Sequence, residues 1–92
     1  MENRKNMEES LAKALRDYRF TSCGKGSSVD RLVGALNQII NLGDYVKNLS
    51  DKQLQGTEPA LRMVDQSTGL TPVILSLYYN PQTERLSLDW TD

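Results

Sequence analysis

Apolar positions in the first part of the chain recur at the spacing of a helical face, in two stretches. Between 7 and about 20 these positions are Met7, Leu11, Ala14, Leu15 and Tyr18. From about 28 to 42 they are Val29, Leu32, Val33, Leu36, Ile39 and Ile40. Spacings of three and four residues place each set on one side of a helix, so both stretches predict amphipathic helices. Ser27 followed by Asp30 resembles the capping box that begins a helix, although aspartate replaces the usual glutamate or glutamine.

Glycines mark the expected ends of the later helices. Gly43 is predicted to stop the second helix, because glycine readily adopts the left-handed conformation beyond a helix end. We expect a third, shorter helix over 44–54 that stops at Gly56. The adjacent Ser50 and Asp51 leave open a break within this third helix.

After Gly56 the apolar period changes to two, which is typical of strands. The segments "ALRMVD", "PVILSLYY" and "ERLSLDW" are separated by the turn-rich "QSTGLT" and "NPQT". We therefore predict an antiparallel meander of three strands. A helix over 58–65, with Pro59 in its first turn, is the competing interpretation of the first strand.

The lengths assumed for the two loops predict which residues of neighbouring strands pair and therefore share a face of the meander. A four-residue loop at 80–83 would pair Tyr79 with Glu84, Leu77 with Leu86, Leu75 with Leu88 and Val73 with Trp90. A five-residue loop at 66–70 would pair Met63 with Val73 and Leu61 with Leu75. One face is then apolar, as a sheet packed against helices requires, and the face around Tyr78 and Arg85 is solvated. Pro72 cannot donate to the ladder and fits best at the first position of its strand.

These patterns together predict an α+β fold in one domain that spans residues 1–92. We expect two to three N-terminal helices over about 7–55, followed by a three-stranded antiparallel β-meander over about 60–90.

Composition removes most catalytic options. The 92 residues include no histidine and one cysteine, Cys23, so Ser-His and Cys-His catalysis and the usual structural zinc sets are missing. We expect a protein that is not an enzyme and that uses no cofactor, metal or small-molecule substrate. No apolar run reaches the roughly 20 residues that span a bilayer. The N-terminus also lacks the apolar core of a secretory signal, so we expect a cytoplasmic protein without membrane contact.

Charge is distributed unevenly along the chain. Residues 1–32 carry seven basic and five acidic side chains, whereas residues 33–92 carry four basic and seven acidic ones. The basic residues beside and after the apolar stripe of the first helix are predicted to meet phosphates or an acidic protein groove. They are Lys13, Arg16, Arg19, Lys25 and Arg31. Ordinary solvated helix surface is the alternative interpretation, and the sheet face around Tyr78 and Arg85 is the second candidate surface.

The segment "CGKGSS" at 23–28 differs from a phosphate-binding P-loop. That motif requires G-x-x-x-x-G-K-[ST], whereas here Lys25 is followed by Gly26, and the segment follows a predicted helix where a P-loop follows a strand. Nucleotide hydrolysis is therefore excluded. Two interpretations stay open: a polar connection between helices, or an anion contact through Lys25, the hydroxyls and the N–H groups of the helix start.

Arg31 occupies the opening turn of the second helix, where a cation opposes the helix dipole. An external partner or an ion pair with Asp30 or Glu8 would explain its presence there.

The chain resembles a family of phage-encoded anti-CRISPR proteins, the eighth-named inhibitors of the type I-F (Csy) surveillance complex. The resemblance runs from "MENRKNMEESLAKALRDYRFTSCGKGSSVDRL" to the terminal "YYNPQTERLSLDW" and rests on overall sequence and size. It implies a non-enzymatic inhibitor that evades antiviral defence in the bacterial host by binding the crRNA-guided effector. Such an inhibitor would interfere with pairing between crRNA and target DNA. The implied partners are the backbone subunits and their neighbours, and direct contact with crRNA phosphates stays open. A small antitoxin-like or immunity-type module that caps one protein is the alternative.

Overall fold

Four helices precede a three-stranded sheet in the computed structural model, which describes residues 4–20, 28–66 and 71–91. The helices are α1 (Arg4–Tyr18), α2 (Ser28–Asn37), α3 (Leu42–Lys47) and α4 (Asp51–Gln55). The strands are β1 (Leu61–Asp65), β2 (Val73–Asn80) and β3 (Arg85–Thr91). Both strand pairs are antiparallel and the order is β1-β2-β3. The predicted α+β fold, with helices before an antiparallel meander, is confirmed. None of the helices in the described segments is long and apolar enough to cross a bilayer.

The core lies between the helices and one face of the sheet. It is built from the apolar stripes of α1 and α2, the inward residues of α3 and α4, and alternate residues of β2. The largest fully buried side chains of the described segments are Leu11, Leu15, Leu32, Leu36, Val46, Leu54, Leu75, Leu77 and Tyr79. The apolar residues at helical spacing in α1 and α2, and those at a spacing of two in β2, are therefore the residues that face the core.

Helix α1 begins three residues before the predicted start at Met7. Arg4 explains the extension, because it anchors the helix to the segment that joins α3 and α4. Its Nε donates to Glu8 at 2.7 Å, and its Nη2 donates to the carbonyl of Leu49 at 2.6 Å. Its Nη1 also pairs with Asp51.

Helix α2 ends at Asn37 and not at Leu42, so the prediction that it continued through Ile39 and Ile40 is wrong. The reason is Asn41, whose side chain accepts a hydrogen bond from the backbone N–H of Asp44 at 3.2 Å and caps α3. A cap requires extended backbone, so the chain leaves helical geometry before this residue. Gly43 consequently lies inside α3 and does not stop α2.

The predicted third helix is two short helices, divided where Ser50 and Asp51 suggested a break. Ser50 and Gln53 form a reciprocal capping box at the start of α4, with hydrogen bonds of 2.8 and 3.2 Å. The helix ends at Gly56, which has a φ of 90° in the left-handed region, as predicted.

The segment 61–65 is a strand, which excludes the competing helix over 58–65. Both hairpins differ from the predicted register by two residues. Leu61 pairs with Leu77 in place of Leu75, and Leu77 pairs with Leu88 in place of Leu86. An even displacement keeps every side chain on its predicted face, which is why the apolar face is correct although the partners are not.

The turn between β2 and β3 explains the displacement of the second hairpin. Asn80 is the last residue of β2 and pairs with Arg85, so the four-residue turn is 81–84 and not 80–83. The Asn80 side chain accepts a hydrogen bond from the N–H of Gln82 at 2.9 Å. Glu84 closes the turn with a φ of 56°. The predicted capping pair at Ser27 and most of the predicted loop 66–70 lie outside the described residues.

Candidate partner-binding surface

A cleft between α1 and α3 gathers most of the basic side chains of the first helix. The cleft has a volume of about 520 Å³. Its lining residues are Lys5, Glu8, Glu9, Ala12, Lys13, Arg16, Asn41, Gly43 and Lys47. A second depression of about 270 Å³ shares Arg16, Asn41 and Gly43 with it and adds Arg19, Ile40 and Leu42. We call this continuous surface the basic cleft.

The geometry of the basic cleft follows from the helical period of α1. Lys5, Lys13 and Arg16 are separated by eight and three residues, which places them along one side of the helix. Lys47 joins them from α3, which packs against α1. All four side chains belong to exposed residues, so they remain accessible to a partner.

The charge balance of the basic cleft is positive. Five cations, those of Lys5, Lys13, Arg16, Arg19 and Lys47, line its two depressions together with two carboxylates. The carboxylate of Glu8 is paired with Arg4 at 2.7 Å. A concave surface with excess charge of one sign concentrates ions of the opposite sign.

Exposed apolar side chains adjoin the Arg19 end of the basic cleft. Phe20 is 75% exposed and Ile40 is fully exposed. The guanidinium of Arg19 lies 5.5 Å from the centroid of the Phe20 ring, within the range of a cation–π contact. Tyr18, in contrast, packs partly buried against the core, in agreement with its predicted role.

The structure brings three of the five predicted site residues together. Lys13, Arg16 and Arg19 line the basic cleft. Lys25, with the rest of the "CGKGSS" segment before Ser28, lies outside the described residues. Arg31 does not line the cleft.

Arg31 is paired with Asp65 at the end of β1, at a distance of 3.7 Å from Nε to Oδ2. The same carboxylate oxygen accepts a hydrogen bond from the hydroxyl of Ser28 at 2.8 Å. Because the Asp65 side chain is only 3% exposed, it needs such polar partners. Glu8, one of the two acidic residues considered as a partner of Arg31, pairs with Arg4. This ion pair links α2 to the end of β1.

Sequence reasoning missed Lys5 and Lys47 as members of this surface. Lys5 could have been found by extending the first helix to Arg4, since it then falls on the same side as Lys13. Lys47 carries no local signal, because only the packing of α3 on α1 places it there.

A further cleft of about 600 Å³ lies between α1 and the turn that joins β2 and β3. Its lining includes Ser10, Tyr79 and Glu84. Burial raises the pKa of the Tyr79 phenol, a hydrogen bond with Ser10 opposes this, and the charge of Glu84 adds to it. The net shift of this pKa is upward, so the phenol stays neutral at ordinary pH and favours a structural role over acid–base chemistry.

Comparison of the chain with protein-family models, curated proteins and solved structures finds no match.

Proposed function

We propose that the chain is a non-enzymatic inhibitor that binds the crRNA-guided type I-F CRISPR effector complex in the bacterial host cytoplasm. In this role it interferes with hybridisation between crRNA and target DNA. The observation that carries the proposal is the basic cleft, where five cations from two helices and their flanking residues surround a concave surface. The resemblance of the sequence to phage-encoded inhibitors supplies the class of target.

The partner that suits this cleft carries regularly spaced negative charge. Phosphates attract lysine and arginine side chains without regard to sequence, and each neutralised phosphate releases a counterion. In the effector, crRNA phosphates or an acidic groove of a subunit would meet Lys13, Arg16 and Arg19. An inhibitor seated there would occupy space that the target strand needs for pairing.

Binding of the purified chain to the purified effector, measured over a range of salt concentrations, tests the proposal. The double variant Lys13→Gln with Arg16→Gln should bind more weakly. Two lost phosphate contacts should lower the log–log salt slope by about 1.4 to 1.8 units. The matched control is Lys52→Gln with Arg62→Gln, which removes two exposed cations from α4 and β1. An equal loss of affinity in both double variants would argue against the basic cleft as the binding surface.

Two further measurements refine the assignment. The affinity and salt slope of the double variant Arg19→Gln with Lys25→Gln test whether the segment after α1 also contacts the effector. Binding to isolated crRNA separates a phosphate partner from a subunit groove, because a groove predicts affinity for the assembled complex alone.

The stoichiometry of inhibition distinguishes binding from catalysis. A non-enzymatic inhibitor should abolish DNA binding by the effector at a fixed molar ratio. Inactivation at strongly substoichiometric amounts would contradict the proposal. Capture from host lysate separates the antitoxin-like alternative, since recovery of a single small protein without effector subunits would favour that alternative.

A further inference from the structure

Strand β3 forms one edge of the sheet and is long for an edge strand. It runs over seven residues, contains no proline, and within the described residues pairs with β2 alone. The opposite edge, β1, has five residues, and α2 reaches its end through the contacts of Ser28 and Arg31 with Asp65. A free edge presents unpaired N–H and C=O groups that can pair with another strand.

The alternation of an antiparallel ladder identifies the backbone groups that face the free side of β3. The carbonyl of Leu77 accepts a hydrogen bond from the N–H of Ala60 at 2.8 Å, so Leu77 directs its backbone groups towards β1. Its register partner on the other side is Leu88. Leu88 must therefore direct its own N–H and C=O away from β2, and the same parity applies to Leu86 and Trp90.

The side chains of β3 are complementary to those of a second copy of the same strand. We propose that the chain forms a symmetric dimer in which two β3 strands pair antiparallel about a two-fold axis at Ser87. This axis places Arg85 opposite Asp89 of the second copy, and Asp89 opposite the second Arg85. It also places Leu86 opposite Leu88, the residues whose backbone groups face outwards, so N–H and C=O groups are exchanged in both directions.

Charge complementarity favours this register over its neighbours. Arg85 and Asp89 face Asn80 and Ser76 within the chain, so neither has an opposite charge directly across from it on β2. In the dimer, Arg85 and Asp89 would each have an oppositely charged side chain of the second copy directly across from them. Strand β1 has no such symmetry, because an axis at Met63 would place Arg62 opposite Val64.

Trp90 supplies the apolar part of the proposed interface. It is opposite Leu75 and so lies on the helix-facing side of the sheet, yet it is 59% exposed. The dimer register brings Trp90 opposite Glu84 of the second copy and diagonal to Leu86. Glu84 and Leu86 of the second copy line a cleft of about 480 Å³ between its α1 and the start of its β3, and this cleft would receive the Trp90 side chain. Its lining residues are Ala14, Asp17, Tyr18, Glu84, Arg85 and Leu86. Because Trp90 is 59% exposed in the single chain, complete burial of its side chain would remove roughly 90–150 Å² of surface from water.

Analytical ultracentrifugation of the full chain tests the proposal. The wild-type protein should show a concentration-dependent species of twice the 10.4 kDa chain mass. The single variants Arg85→Asp and Asp89→Arg each create two like-charge pairs per dimer and should weaken association about tenfold. The double variant Arg85→Asp with Asp89→Arg restores opposite charges and should recover the wild-type association.

Mixing the two single variants gives the sharpest result. The Arg85→Asp variant carries a carboxylate at both positions, and the Asp89→Arg variant carries a guanidinium at both. The mixture should therefore form heterodimers under conditions where each variant alone stays monomeric. Trp90→Ala should weaken association about 30-fold, as expected when a buried aromatic anchor is removed. Thermal unfolding of every variant verifies that it folds.

Three outcomes would overturn the dimer: a monomeric wild type at all concentrations, single charge variants that associate normally, or no recovery in the mixture of folded variants. None of them affects the proposal for the effector. The α1 residues beside β3, Ala14, Asp17 and Tyr18, differ from those that line the basic cleft.

Discussion

Replacement of Gly56 by alanine perturbs the close contact between the end of α4 and strand β2. Gly56 has a φ of 90°, and a Cβ atom built on it would lie 2.2 Å from the backbone oxygen of Tyr79. The left-handed conformation costs alanine about 1–2 kcal/mol. Forcing an atom into a filled site adds roughly 1–3 kcal/mol.

The unfolded chain partly offsets these terms. Alanine restricts the unfolded chain more than glycine does, which returns about 0.4–1 kcal/mol. We therefore expect Gly56→Ala to lower the free energy of unfolding by about 3 kcal/mol, the middle of the range of about 1–5 kcal/mol that these terms span. For a domain of this size the melting temperature should fall by about 10 °C or more.

Gly34→Ala is the matched control, because it makes the same glycine-to-alanine change at a site where we expect stability to rise and not to fall. Gly34 lies in the middle of α2, and apart from its chain neighbours and the nearby backbone of its own helix no atom lies within 4 Å of a Cβ built there. Alanine should raise stability by about 0.5–1 kcal/mol at such a position. Gly56→Asn separates the two terms at Gly56, since asparagine tolerates the left-handed conformation but keeps the Cβ.

Urea unfolding followed by circular dichroism measures all three variants. We expect the order Gly34→Ala, wild type, Gly56→Asn, Gly56→Ala from most to least stable. A Gly56→Ala protein as stable as the wild type would refute the reasoning, because Tyr79 would then not hold the helix end at the described distance.

Three further predictions concern stability. Arg31→Gln should cost about 1 kcal/mol, because the buried carboxylate of Asp65 loses a partially exposed partner, while the affinity of the folded variant for the effector should not change. Ser50→Ala should cost about 1 kcal/mol of unfolding free energy through loss of the α4 cap, which urea titration can detect. Burial raises the pKa values of Tyr45 and Tyr79 above the ordinary 10.0, so the folded state favours their neutral forms. The stability from this effect is complete below pH 10 and decreases as pH rises through the raised values. Unfolding at a series of alkaline pH values should show this decrease, and the Tyr45→Phe and Tyr79→Phe variants should each show less of it.

The sequence by itself determined the face that each helix and strand buries, and the class of the segments other than 58–65, where strand and helix both fitted the pattern. Leu11 and Leu15 recur at helical spacing, Leu75 and Leu77 at strand spacing, and all four are fully buried. Gly56 ended its helix as predicted, because a left-handed cap is a local preference of glycine. These features depend on residues close together in the chain, so pattern alone was sufficient.

Tertiary structure decided which residues far apart in the chain contact each other, whereas two local offsets came from short-range side-chain contacts that periodicity does not report. A period of two specifies the face of a strand but not its alignment, so the turn geometry of Asn80 and Glu84 displaced the predicted register by two residues. The helical spacing of apolar residues continues through Ile40, yet α2 ends at Asn37. Asn41 caps the start of α3, and the extended backbone of that cap is incompatible with a helix that continues through it.

The same distinction applies to the candidate surface. Lys13, Arg16 and Arg19 recur every three residues of the sequence, so their proximity could be predicted from one helix. Lys47 lines the same cleft because α3 packs against α1. Arg31 pairs with Asp65, which lies 34 residues later in the chain. Local spacing carries no information about such contacts, since they form only when the helices pack against each other and against the sheet.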